Sequence, residues 1–322
     1  MVARDWVLAA VVVALLGTAT AVGQIVKRQP HLGLNAAALG TFNRRVRVWW
    51  IFYALLLVAF FSPALTVAIF GLMSFEALRE FITLTPTRRA DHRALFWTLI
   101  FFTPMQYVFV ANDFYALYSI FIPVYAFLFI PARIAIAGDY KRFLERVAKI
   151  QSGLLICVYC LSFAPALLYL DFEVGKGLEL HAATQSEKAR LLFFFVTMAL
   201  LSEAFQFVWS QLYGRHVIAP TINAARTWEG LVGGSASTAL AGMVLHWATP
   251  YEYLWQSAFM AMVVAIMGFA GAMTMSAIKR DRGVRDYGTL VEGHGGVLDR
   301  IDAICFAAPV FYHISRHIFG IK

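Results

Sequence analysis

The chain has 322 residues, of which 60% are hydrophobic and only 14% are charged, and this composition excludes an ordinary soluble globular protein. Its formal net charge of +8 does not indicate nucleic-acid binding. The basic residues lie in short loops between apolar stretches, where a membrane location is sufficient to explain them. The sequence therefore predicts an all-α, polytopic integral membrane protein that does not bind nucleic acid.

Apolar stretches recur along the whole chain, and most of them approach the roughly 20 residues that a helix needs to cross a bilayer. The first has no signal-peptide cleavage pattern and is expected to be retained as a helix. In chain order the stretches cover residues 6–23, 48–78, 94–112, 114–135, 152–170, 190–212, 231–248, 254–275 and 303–319.

The second stretch is unusually long and has Pro63 near its middle, so it is either one tilted helix or a hairpin of two. Loop charge favours the hairpin with the N-terminus outside, because most basic residues then lie on the inward side. This arrangement gives about ten transmembrane helices. The charged segment Asp139–Ile150 is amphipathic and is expected to lie along the inner surface.

Intramembrane residues are more often polar or glycine in the C-terminal part of the chain. We therefore predict a transmembrane scaffold over residues 1–135 and a catalytic transmembrane region, with its site on the cytoplasmic side, over residues 136–322. Cys157 and Cys160 form a CxxC pattern within an apolar stretch, but no second cysteine or histidine pair accompanies it. Packing is the expected role of both thiols.

Glu203 lies more than halfway along the stretch 190–212, where a carboxylate must face the protein interior. Gln206 and Ser210 follow at +3 and +7 on the same helical face. This face either holds helices together through hydrogen bonds or forms part of a site. The position of Glu203 just before a basic loop favours the second alternative.

The segment Pro220–Gly234 leads into the next apolar stretch. It has Arg226, Thr227 and Glu229 directly before a helix start that is rich in glycine from Gly230 onward. Free N–H groups, glycines and an arginine form a natural seat for a phosphate. The alternative is that Trp228 anchors the helix at the interface while the glycines allow close helix packing.

The segment Ser276–Asp302, here called the signature segment, combines cations, acids and a GHGG turn between two apolar stretches. Asp299 and Asp302 are three residues apart at the start of the last helix, so both carboxylates point to one side. With Asp286 they form a set of hard oxygen ligands that suits Mg²⁺. The other candidates are cations for phosphate oxygens, an acid–base or turn histidine, and glycines that let N–H groups approach a phosphate: Lys279, Arg280, Arg285, Arg300, His294, Gly295 and Gly296.

This segment resembles the signature of the CDP-diacylglycerol synthases (phosphatidate cytidylyltransferases), in which a Ser, a KR pair, a KD pair, PGHGG and DRxDS follow one another. SEAFQFVWSQLYGRH, NAARTWEG and ALREF are similar to further family segments, so the resemblance covers most of residues 75–317. The matching signature positions are Ser276, Ile278, Lys279, Arg280, Asp286, Gly288, Gly293, His294, Gly295, Gly296, Asp299, Arg300 and Asp302.

Several positions depart from the family pattern. Three keep their charge but change its reach: Glu203 stands for Asp, and Arg226 and Arg285 stand for Lys. Four others lose or replace a group: Asn223 and Ala224 stand for Ser-Pro, Glu292 for Pro and Ala303 for Ser. These changes bear on rate and substrate range more than on the type of reaction.

The resemblance implies that CMP is transferred from CTP to phosphatidate, giving CDP-diacylglycerol and pyrophosphate. Mg²⁺ is the expected cofactor, with a second cation left open, and membrane lipids are the expected surroundings, with a homodimer left open. The expected metal ligands are Glu203, Asp286, Asp299 and Asp302. Two alternatives remain, namely a transporter or binding protein for an anionic solute and an enzyme that uses CTP to activate another lipid.

Overall fold

The computed structural model describes residues 36–84, 87–174, 181–284 and 296–318, together with a few single positions between 10 and 24. Four predicted site residues lie outside these ranges: Arg285, Asp286, His294 and Gly295. The protein is mostly helical, at 82%.

The described residues form nine long helical segments, some of which contain a π-helical or 3₁₀ turn. In chain order they are α1 (Ala36–Phe61), α2 (Pro63–Thr83), α3 (Arg89–Ala111), α4 (Tyr115–Ile136), α5 (Phe143–Tyr169), α6 (Gln185–Tyr213), α7 (Trp228–Val244), α8 (Leu254–Asp281) and α9 (Leu298–Ile318).

Five of these segments, α3, α4, α5, α6 and α8, are long and apolar enough to cross a membrane. The prediction of a helical membrane protein is therefore confirmed, whereas the count of about ten crossings remains a prediction. Prolines explain the irregular turns within α3 and α4. Pro123 lies in a π-helical turn and Pro104 lies two residues after one, because a proline has no N–H for the regular helical ladder.

The long apolar stretch around Pro63 is two helices. α1 ends at Phe61, and Ser62 is extended, with φ −149° and ψ 105°. The Ser62 hydroxyl accepts the N–H of Leu65 at 3.2 Å, and Pro63 occupies the first helical position, where its missing N–H costs nothing. The break at Pro63 is thus confirmed, while the crossing of the membrane by each half stays a prediction.

The segment Asp139–Ile150 is an amphipathic helix from Phe143 onward, but it is not a separate helix, and its position along the inner surface stays a prediction. Residues 143–150 are the first turns of α5, which continues without interruption to Tyr169. Arg146 is buried there and its guanidinium contacts the Asp91 carboxylate at 2.7 Å. Arg142 and Glu145 are exposed, so Arg146 is the one charge of these three that belongs to an internal ion pair.

The bundle around the C-terminal part depends on small residues. α6 packs against α7 and α8, and α8 packs against α9. A side chain at Gly234 would collide with Gln206 of α6, and Gly268 of α8 lies against Ala303 of α9. Small residues let helix backbones approach closely, which is the usual means of helix association in membranes.

Two short antiparallel hairpins depart from the purely helical class that the sequence predicts. β1 (Glu173–Val174) pairs with β2 (His181–Ala182), and β3 (Val217–Ala219) pairs with β4 (Asn223–Thr227). The second hairpin turns at Pro220 and Thr221, between α6 and α7. The division of the chain at residues 135 and 136 stays a prediction.

Candidate active site

One end of the bundle gathers the described part of the predicted site. α6 and α8 reach it with their C-terminal turns, α7 and α9 begin there, and the β3–β4 hairpin lies beside them. Carboxylates and cations from segments far apart in the sequence therefore meet at this end.

Lys279 and Asp299 connect the end of α8 to the beginning of α9. The Lys279 ammonium lies 2.7 Å from Asp299 Oδ1, and both side chains are largely shielded from solvent. The other oxygen of Asp299 accepts the N–H of Gly296 at 3.3 Å. Asp299 thus fixes the start of its own helix and also holds the ammonium group of Lys279 at the site.

Asp302 is the most buried carboxylate among the described predicted ligands. The charge of Glu203 acts on it from α6, and those of Arg226 and Lys279 act on it with opposite sign. Its Oδ1 accepts the N–H of Ala303 at 2.7 Å. Two carboxylates, a lysine and an arginine therefore share one electrostatic environment.

Arg226 reaches this group from β4. Its Nη1 donates to Gln206 Oε1 at 2.8 Å, and its guanidinium lies 5.8 Å from the centre of the Phe269 ring. The Gln206 amide donates in turn to the carbonyl of Ala265 at 3.0 Å. Gln206 therefore both links α6 to α8, as the alternative of helix contacts requires, and positions Arg226.

The β3–β4 hairpin is fastened to the signature segment. Asn223 Nδ2 donates to Ser276 Oγ at 3.1 Å, and Arg280 Nε donates to the carbonyl of Ile222 at 3.2 Å. Asn223 Oδ1 also accepts the N–H of Ala225 at 3.1 Å. A side-chain turn of this kind replaces the fixed turn that a Ser-Pro pair provides, so the departure at Asn223 keeps the hairpin in place.

Three predicted substrate-binding residues have structural contacts. Thr227 is the N-cap of α7, since its hydroxyl accepts the N–H of Gly230 at 3.1 Å and donates to Ser210 at 3.0 Å. The glycine face of α7 lies against α6, in keeping with the packing alternative. Glu229 accepts the N–H groups of Arg215 and His216 at 3.2 Å. Phosphate binding by these residues stays a prediction.

Glu80 is a site neighbour that the sequence does not indicate. Its buried carboxylate accepts the N–H of Val297 at 2.9 Å and that of Leu298 at 3.0 Å. A side chain at Gly296 would collide with the same carboxylate. Glu80 lies in α2, 217 residues before Val297, and only its inclusion in the segment ALREF gives a signal in the sequence.

The departure at Ala303 has a packing consequence. Ala303 is buried at the contact with Gly268, and Ser202 lies on the same side of this contact. Because neighbouring helical residues point about 100° apart, Asp302 and Ala303 do not share a face, and the lost hydroxyl belongs to the helix contact.

Arg300, another predicted site residue, lies half-buried beside Asp299 in the first turn of α9.

The carboxylate oxygens predicted as donors here are of the kind that Mg²⁺ prefers. Asp302 and Glu203 are like charges close enough to repel each other in a largely apolar surround, and a cation between them would relieve that cost. Within the described ranges no three carboxylate, histidine or cysteine side chains form a group that could hold a metal ion. Glu203, Asp299 and Asp302 therefore do not form a metal-binding group by themselves in the described ranges, and Asp286, the fourth predicted ligand, lies outside them.

Comparison with known proteins accounts for nearly the whole chain. The model of the cytidylyltransferase family matches residues 43–318. A protein named "Uncharacterized protein YnbB" from Escherichia coli is 33% identical over 280 residues, which cover 86% of this chain and 88% of that protein.

Phosphatidate cytidylyltransferases are similar over shorter ranges. That of Staphylococcus epidermidis is 30% identical over 54% of this chain and 70% of its own length. That of Thermotoga maritima is 31% identical over 50% of this chain and 60% of its own length. The chain therefore belongs to the cytidylyltransferase family and is a membrane-embedded nucleotidyltransferase.

Proposed function

We propose that this protein is a phosphatidate cytidylyltransferase, which transfers CMP from CTP to phosphatidate and releases pyrophosphate. The observation that carries the proposal is the cluster formed by Arg226, Lys279, Asp299, Asp302 and Glu203 at one end of an apolar bundle. This arrangement supports the proposal because cations that suit phosphate oxygens and carboxylates that suit a metal ion lie at the same end of the bundle.

The reaction suits the residues available. A phosphate oxygen of phosphatidate attacks the α-phosphorus of CTP, and the bond from that phosphorus to the bridging oxygen of the β-phosphate breaks, so that pyrophosphate leaves. The phosphate monoester is already anionic near neutral pH, so no strong general base is needed. Catalysis then consists mainly of holding the two phosphates in line and neutralising charge.

We assign Asp286, Asp299 and Asp302 to Mg²⁺, with Glu203 as a further ligand or as a carboxylate that supports them, and a second cation stays open. When bound, the metal ion would supply charge neutralisation at the triphosphate. Lys279, Arg226, Arg280, Arg285 and Arg300 neutralise phosphate oxygens. The Lys279 ammonium lies 2.7 Å from the Asp299 carboxylate. This contact positions Lys279 for a phosphate and also orients Asp299, a predicted metal ligand.

A labelling experiment tests the proposal directly. Purified protein is incubated with phosphatidate, Mg²⁺ and CTP that carries ³²P at either the α- or the γ-phosphate. We expect the α-label to enter the lipid phase and the γ-label to remain in water as pyrophosphate, with no transfer in EDTA. Entry of the γ-label into lipid would instead identify a lipid kinase and contradict the proposal.

The same assay separates the alternatives. If phosphatidate is inert and a polyprenyl lipid accepts the label, the protein activates another lipid. If neither lipid accepts label but reconstituted vesicles accumulate an anionic solute, the protein is a transporter. Similarity to proteins named phosphatidate cytidylyltransferase favours phosphatidate over both.

The proposal includes ten crossings of a bacterial inner membrane with the N-terminus outside. Single cysteines near Ala3, Thr87 and Thr289 test it with an impermeant thiol reagent. We expect labelling at Ala3 from outside and at Thr87 and Thr289 from the cytoplasm. Labelling of Ala3 from the cytoplasm, with the other two unchanged, would reduce the count to nine.

A further inference from the structure

Glu80 holds the start of the helix that bears two predicted metal ligands. α9 begins at Leu298, and the N–H groups of Val297 and Leu298 both point to the Glu80 carboxylate, at 2.9 and 3.0 Å. Glu80 is only 4% exposed. A buried carboxylate that accepts two backbone N–H groups makes short, charge-assisted hydrogen bonds.

The sequence around the start of α9 explains why a remote residue is needed. Helix starts are usually capped by a nearby Ser, Thr, Asp or Asn, but Gly296 and Val297 have no such group. Asp299 accepts the N–H of Gly296, and Glu80 accepts the next two N–H groups. Gly296 itself lies so close to this carboxylate that a larger residue would displace it.

The position of α9 determines where its carboxylates lie. Asp299 is one residue and Asp302 four residues after Leu298, within the first turns of a rigid helix. A shift or fraying at the helix start would therefore move both carboxylates relative to Glu203 and Arg226. The negative charge of Glu80 also complements the positive end of the helix dipole, so this end is already occupied and substrate phosphates are left to the cations.

We propose that Glu80 is a positioning residue for the metal-binding carboxylates of α9, acting through the backbone of residues 297 and 298. This inference rests on the proposed function only in naming Mg²⁺ as the ion. It makes the N-terminal part of the chain, otherwise expected to be scaffold, a direct contributor to the geometry of the site.

The matched pair for a test lies on one helix. Glu76 precedes Glu80 by one turn of α2, and its carboxylate lies 2.7 Å from Arg79 in a partly exposed pair. Glu80→Gln keeps size and one acceptor but places an NH₂ group against a backbone N–H. Glu76→Gln makes the same chemical change in the pair with Arg79.

The first measurement is Mn²⁺ binding to the full-length protein in detergent, followed by electron paramagnetic resonance without substrate. Residues that orient metal ligands typically change metal affinity about 10- to 100-fold when they are replaced. We expect at least tenfold weaker binding in Glu80→Gln, partial recovery in Glu80→Asp and wild-type binding in Glu76→Gln. Equal binding in Glu80→Gln and wild type would overturn the proposal.

The second measurement is amide hydrogen exchange, which reads the helix start without any assay of activity. Glu80→Gln should speed exchange in peptides covering residues 296–303 and leave peptides from α4 unchanged. Both measurements use Glu80→Gln, so they do not depend on whether a shorter side chain, as in Glu80→Ala, allows the protein to fold. If the wild type makes no CDP-diacylglycerol, the proposed function fails while both measurements still test Glu80. Unchanged exchange at 296–303 would contradict the role assigned to it.

Discussion

Two clusters of charge in this protein differ in how completely their groups are paired. In the cluster of Asp91 and Arg146, Asp91 Oδ1 accepts from Arg146 Nη2 at 2.7 Å and from Nε at 2.9 Å, and Arg146 Nη1 donates to the carbonyls of Asp139 and Lys141. At the site, Arg226 has one hydrogen bond to a described side chain, that of Gln206. The charged groups of the first cluster are hydrogen-bonded to one another and to nearby carbonyls, whereas Arg226 in the second cluster has further N–H donors that could bind a ligand.

The difference teaches how to separate structural charge from functional charge in a membrane protein. Burial alone does not do so, because Asp91 and Asp302 are both buried. The charges of the neighbouring groups separate structural charge from functional charge. Asp91 has a cation fixed on it by two hydrogen bonds, while Asp302 shares its surroundings with another carboxylate, Glu203. Like charges held together call for a further cation, and fixed opposite charges do not.

Removing one partner of the closed cluster should give the largest effect, and on stability alone. Arg146→Met leaves the Asp91 carboxylate buried without its cation, which typically costs about 3–5 kcal/mol. We expect that loss in the free energy of unfolding, measured in detergent with increasing denaturant. The rate per folded molecule should stay at the wild-type value.

The double variant Asp91→Asn/Arg146→Met is the control. It removes both charges and should recover part of the lost stability, since the penalty comes from the uncompensated carboxylate. A loss of turnover that persists in folded Arg146→Met protein would show that this cluster also serves the reaction and would break the comparison.

Asp302→Asn should have the opposite effect: it should lower the rate of CMP transfer and leave the stability of the protein nearly unchanged. The change preserves shape and removes one charge from the proposed metal site, and the loss of one such electrostatic contact typically lowers the rate about 10²- to 10³-fold. Initial rates of CMP transfer across a Mg²⁺ titration measure the effect, with thermal unfolding as the control. Near-normal turnover at low Mg²⁺ would exclude Asp302 as a ligand.

Sequence alone predicts much of this site, because part of it is local. Asp299 and Asp302 are three residues apart on one helix, so their common side follows from the helical period, and the signature segment supplies the family. The break at Pro63 follows equally from the chemistry of proline. Each of these inferences needs only neighbouring residues.

Contacts between distant segments are what the sequence does not reveal. Nothing in the spacing of residues indicates that Glu80 caps a helix that begins at Leu298. The glycines after Trp228 are ambiguous for the same reason, since a phosphate seat and a close helix contact require the same residue. Their packing against α6 becomes evident only when both helices are in place.

Glu203 offers a finer test of the comparison, with a smaller expected effect. Glu203→Gln keeps hydrogen bonding between helices but removes the charge that acts on Asp302. We expect a loss of about 10- to 100-fold in the rate of CMP transfer, as is typical for groups that support metal ligands. Glu203→Asp should remain active, because it restores the carboxylate of the family pattern.

A fully active Glu203→Gln protein would assign this residue to helix association. Because the Gln variant keeps this hydrogen bonding, its unfolding temperature should match that of the wild type, and the rate decides between the two roles. Unchanged unfolding with a reduced rate is the result we expect.

The smallest expected effect concerns the exposed pair of His216 and Glu229, beside the site. The hydrogen bond from His216 Nδ1, at 2.6 Å, is the main cause that lowers the pKa of Glu229 from 4.5 to about 2. A lowered carboxyl pKa contributes stability that is present above pH 4.5 and is lost as the pH falls toward 2. The unfolding temperature of the wild type should therefore decline through this window slightly more than that of Glu229→Gln. Parallel declines in the two proteins would show that Glu229 does not hold the loop at Arg215 and His216.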